Sequence, residues 1–190
     1  MLTHRPNITM HELSDRELYQ ALAYAKSLDA DAGRKIIEHF QLNQTALAQT
    51  IFGVFPAVIA EQDQGMAELF MDLCFDVICV FEQAFGPLPS QDVMGFNWLE
   101  KSAVLLDSEL QALLSDKHMD GKFRHKLQDR FLERLIAENT QAGLLTFMNA
   151  AIDEFAAENP IRVNAIHITQ TMIFVVIQLF GSLYSHAHSA

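Results

Sequence analysis

The sequence predicts an all-α protein, a compact bundle of about eight helices in a single domain spanning residues 1–190. Apolar residues recur at three- and four-residue spacing along the chain, and no stretch alternates for long at period two. No Asn-Gly or Asp-Gly turn sits between β-branched runs; the one Asp-Gly, Asp120–Gly121, separates two helical stretches. Half of the 190 residues are apolar, 14 of them Phe, against 8 Gly and 5 Pro. Core material is abundant and turn formers are scarce, which excludes disordered, collagenous and low-complexity classes.

The first helix starts at Ser14, where Glu17 three residues on completes a capping box, and runs to about residue 27. The second covers 31–40, with Ile36, Ile37 and Phe40 apolar. Asn43 is read as the cap of a third helix reaching about residue 62. Pro56 should kink or split that helix, because its ring removes a hydrogen bond and clashes with the preceding turn. The fourth helix spans 65–85 and stops at Gly86-Pro87-Leu88-Pro89-Ser90, the clearest break in the chain. A fifth is expected over 95–116, with Trp98 near its start, and a sixth over 121–139. A seventh runs over 141–159 and ends at Pro160; an eighth covers 161–185. The eighth is apolar almost all round between Met172 and Phe180, which predicts central burial.

A 77-residue shift brings the chain onto itself without gaps. Ile59, Ala60, Glu61, Gln64, Phe70, Met71 and Asp76 fall on Ile136, Ala137, Glu138, Gln141, Phe147, Met148 and Asp153. This suggests tandem duplication of a four-helix unit with pseudo-twofold symmetry, in halves 13–86 and 90–163, with the last helix added outside the repeat. A half of that size buries little core alone, and two packed together bury far more.

Charge narrows the function classes. The net charge of −11 repels phosphate, so neither nucleic acid nor an anionic membrane is expected as a partner. Six of the basic residues fall within 117–134, interleaved with Asp120, Asp129 and Glu133, the pattern of a solvated helix face. The longest apolar stretches, 69–81 and 172–180, are read as too short or too interrupted to span a membrane, and no apolar leader opens the sequence; a cytoplasmic location is expected. Cys74 and Cys79 lie five residues apart on one helix, too far and differently aimed for a disulfide.

The fourth helix carries the most informative polar pattern. Gly65, Glu68, Asp72, Asp76, Cys79 and Gln83 recur every three or four residues and form one narrow stripe. It is either a solvent face or the wall of a cleft, in which Glu68, Asp72 and Asp76 would crowd carboxylates over two turns and bind a ligand or a divalent cation. His167 lies on a second stripe, with Asn164, Thr171 and Gln178 on the last helix, and completes the candidate ligand-binding set. No motif for a di-iron bundle, zincin, phosphate loop, hydrolase elbow or EF-hand is present. No catalytic residue, cofactor or metal is therefore assigned. The favoured reading is a non-enzymatic interaction or regulatory protein, a homodimer or protein-partner complex formed through apolar faces such as the fourth or eighth helix. The alternative is a small-ligand- or divalent-metal-binding protein, or an enzyme, using the acidic stripe.

Overall fold

The computed structural model describes residues 10–94 and 141–187, and these are helical with no strand among them. α1 (Asp15–Ser27) opens on the expected capping box: the Glu17 amide donates to Ser14 Oγ, and the Ser14 amide donates to the Glu17 carboxylate at 2.8 Å. Asp29 caps α2 (Ala30–Asn43) by accepting from the Ala32 amide at 2.8 Å. Asn43 does not cap the next helix. It ends α2, where its side-chain amide donates back to the His39 carbonyl, and Gln44 takes the junction.

Pro56 splits the expected third helix. α3 (Thr45–Gln49) widens into a π turn at Thr50–Val54, and α4 (Phe55–Ala60) follows with the proline in its first turn. The Phe55 amide reaches Thr50, five residues back, so the chain stays helical where the proline ring would clash with the carbonyl four residues before it. α2 and the α3–α4 stretch meet at a bend of 119°. α5 (Gln64–Phe85), capped by Asp63, is followed by a one-turn α6 (Gln91–Met94). α7 (Ala142–Ala157), a 3-10 turn at Pro160–Arg162 and α8 (Val163–Ala187) complete the described chain. These labels do not reproduce the expected set of helices: α3 and α4 come from one expected helix, and α6 was not foreseen. The helices expected over 95–116 and 121–139, with Trp98 and the basic stretch 117–134, lie outside the described residues.

The contacts fix the helix directions. Asp63 and Arg162 stand 3.8 Å apart at the starts of α5 and α8, while Phe81 meets Phe180 and Tyr184 near their ends, so α5 and α8 run parallel. α1 opposes α5: His11, just ahead of α1, packs edge-on against Phe85, and Lys26, in its last turn, acts electrostatically on Asp76. α7 runs with α1, since Gly143 lies against Leu18 and Phe155 against Gly65. Among the described residues, α1, α5, α7 and α8 pack together as the core. Met172–Ile177, Leu179 and Phe180 of α8 are buried, and so are Val77–Phe81 of α5. By length and composition Pro160–Ser185 is apolar enough to cross a membrane, which corrects the shorter apolar span read from 172–180; 56% of its 18-residue apolar window is buried inside the protein, as in a core helix. Cys74 and Cys79 are buried free thiols.

Two buried glutamines lock distant segments. Gln141 accepts from the Leu13 amide at 2.9 Å and donates to the His11 carbonyl at 2.8 Å, while Glu12 accepts from the Gly143 amide at the start of α7. Gln44 donates to the Pro89 carbonyl, and Gln91 accepts from the Ala46 amide. Tyr184 fixes the same connection by donating to the Gly86 carbonyl at 2.9 Å. Of the proposed repeat, the part that can be compared is α5 against α7. Its identical pairs do not share environments: Phe70 and Met148 are fully buried, whereas their counterparts Phe147 and Met71 are partly exposed.

Gly86 ends α5 with φ 90° and ψ −172°, a region essentially closed to other residues, and a Cβ there would meet nothing within 4 Å. Gly86→Ala is therefore expected to cost about 1–3 kcal/mol through the backbone alone, measured as a lower midpoint in urea with an unchanged slope. A loss near zero would show that the turn relaxes freely.

Candidate functional site

α5 positions three of the four candidate residues. Its apolar side faces the core, so the 65–83 stripe turns outward at its start, where Glu68 and Asp72 are exposed. Asp76, one turn on, is half-buried between α5 and the end of α1. Cys79 is buried and Gln83 exposed, so the stripe is neither a uniform solvent face nor a continuous cleft wall.

The acids differ in their surroundings. Burial and the Glu68 charge push the Asp72 carboxyl above the usual aspartate range. Burial raises Asp76 to about 6; Lys26 opposes this, and Asp72 adds to it. Lys26 also lies 5.7 Å from the centre of the Phe147 ring, so one side chain at the end of α1 meets both α5 and α7. Glu82, which the stripe pattern missed because Gln83 holds the matching place, is raised by burial and lowered by His39 and by a hydrogen bond from the Leu88 amide. Its legible signal was its position one turn before Gly86, where a chain reversal returns an amide to it. Burial, with Asp76 and Glu82, pushes the Cys79 thiol up to about 12, and burial also raises Cys74, so both are held as inert thiols.

His167 lies on α8 and is exposed. Its carbonyl accepts from Thr171 Oγ1 at 2.9 Å. Among the described residues no three His, Cys, Asp or Glu side chains come close enough to hold a metal ion, so Glu68, Asp72, Asp76 and His167 do not form a chelating set. Of the other acids matched by the 77-residue shift, Glu61 and Asp153 are exposed, Asp153 accepts from Gln170 Nε2 at 2.9 Å, and Glu138 lies outside the described residues.

Asp72 borders a concavity. An open groove of about 500 Å³ runs between the α1–α2 corner and α5, its lining including Arg34, Ile37, Phe52, Met71, Asp72 and Phe75. Its walls come from α2, the π turn and α5, and no local spacing in the sequence joins them. No family model matches this chain. Neither does any curated protein or solved structure.

The raised Asp76 fixes a pH dependence. A carboxyl that binds its proton more tightly folded than unfolded favours the fold below about pH 4, and that contribution is lost as pH rises through 4 to 6. Asp76→Asn is expected to raise the melting temperature at pH 7 and to lose this advantage by pH 4. A variant less stable than the parent at pH 7 would mean that Lys26 outweighs burial.

Proposed function

We propose that the protein is a non-enzymatic helical interaction protein, which offers surface to another protein chain and does not enclose a reaction. The observation supporting this best is the separation of its chemistry-bearing side chains beside an open apolar groove. Asp72 lines the groove, Asp76 lies by Lys26, and Glu68 and His167 face water on different helices. General acid–base chemistry needs its groups within hydrogen-bond reach of one substrate atom, in a place that excludes water. Against that requirement, Glu68, Asp72 and His167 are exposed, and no three described His, Cys, Asp or Glu side chains cluster tightly enough to hold a metal ion.

A homodimer is the simplest partner. The apolar faces of α5 and α8 cover one another within a single chain, so a dimer would use other surface, including Tyr19 and Leu42, which are 74% and 83% exposed. The duplication is kept as a proposal of origin: under the 77-residue shift the starts of α5 and α7 fall within one residue. The alternative of a small ligand or divalent cation on the acidic stripe draws its support from Asp72 in the groove.

Light scattering at micromolar concentration is expected to give twice the 21.4 kDa chain mass; a monomeric mass removes the homodimer. Manganese, magnesium and zinc are expected to leave the melting temperature unchanged. A rise of several degrees that Asp76→Ala abolishes would overturn the interaction reading in favour of a metal site, since binding to the native state alone stabilises it.

A further inference from the structure

We propose that the groove between α2 and α5 is a docking site for a basic amphipathic helix of a partner protein. This deepens the interaction reading above and rests on it.

The first argument is an incompletely covered helix. α2 carries Ile36, Ile37 and Phe40 toward one side, yet Phe40 alone is fully buried; Ile36 and Ile37 stay partly open. α1, of similar length, buries Leu18, Ala21, Leu22 and Ala25. α2 touches α5 at Gly33, where a Cβ would lie 3.6 Å from the Phe75 ring, an ordinary contact. The groove opens beside that contact, with Ile37, Phe52, Met71 and Phe75 offering adaptable apolar surface. Its volume, about 500 Å³, takes a few large side chains spaced along one helix face and not a folded domain.

The second argument is charge. The carboxylate of Asp29 is already engaged in capping α2, and Arg34 pairs with Asp31 at 3.5 Å. On the opposite wall, among the described residues, the charge acting on Asp72 is that of Glu68, of the same sign. A lysine or arginine from a partner would relieve this repulsion. The chain's −11 charge favours such a basic partner over a nucleic acid or an anionic membrane.

The test titrates three fluorescently labelled synthetic peptides into the full chain at physiological salt. One is an amphipathic leucine–lysine helix, one is a scramble of it with no apolar face, and one is the leucine–glutamate counterpart. The leucine–lysine helix is expected to bind one to one, about tenfold tighter than the scramble. Gly33→Met puts a side chain into the groove at a position where methionine also favours the helix, so the variant should fold, verified by circular dichroism. It is expected to weaken binding about tenfold, the effect of losing an apolar anchor site. Asp72→Asn should weaken it about two- to fivefold, the range of one solvent-accessible ion pair. Equal binding by the scramble or by the glutamate peptide, or indifference to both variants, would overturn the proposal. So would a homodimer that Gly33→Met dissociates, because the occupant would then be a second copy. If no peptide binds while a dimer unaffected by Gly33→Met forms, the groove assignment fails and the interaction reading stands.

Discussion

Two helices of this chain have no face to give to water over their middle turns. Val77–Phe81 of α5 are consecutive buried residues, and α8 is buried at every position from Met172 to Phe180 except Gln178. A helix apolar all round is stable in water only when surrounded. α5 and α8 therefore take the centre side by side, with Phe81 set against Phe180 and Tyr184 at 5.4 and 5.6 Å between ring centres. Their parallel direction follows from the contacts at both ends. A parallel pair cannot be joined by a short turn, and α7 supplies the last leg of the return. α1 and α7 cover the pair antiparallel to it, and Phe40 of α2 closes on Phe180 from outside.

The same constraint explains the electrostatics. α5 is too deeply set for its polar stripe to stay wholly wet, so Asp76, Cys79 and Glu82 all titrate above their ordinary ranges, with burial as the leading cause. Among the described residues Lys26 offsets this for Asp76, and His39 and the Leu88 amide offset it for Glu82. At the surface the relation reverses. Glu17 is half-exposed, and the Ser14 hydroxyl and amide, then His11, draw its carboxyl down to about 2. The acidic character of the chain is thus divided between carboxylates that favour the fold when charged and carboxylates that oppose it.

Local signals in the sequence were good guides where local chemistry decides the outcome. The Ser14–Glu17 box, the break at Gly86 and the burial of α8 could be read directly. Pro56 announced an interruption, but not its form: a π turn also depends on keeping Ile51 and Phe55 pointed inward. Asn43 misled because its cap propensity was local, while Gln44 is held at that corner by Pro89, 45 residues away. The Glu68–Asp72–Asp76 spacing was legible, yet the neighbour that sets Asp76 apart comes from α1 and the groove beside Asp72 from three elements. His167 shared a polar stripe, and a stripe does not say what it faces. The clasp of Gln141 on His11 and Leu13 spans 130 residues and left no pattern at either end.

The central claim is that α5 and α8 form the buried pair around which the rest is arranged. Native-state hydrogen exchange at increasing denaturant tests it most directly. The account expects the amides of residues 77–81 and 172–180 to exchange only with global unfolding, at one common free energy, while α2 opens earlier. Exchange of the 172–180 amides before those of α1 or α2 would contradict it, because a helix that opens first cannot be the one the others enclose.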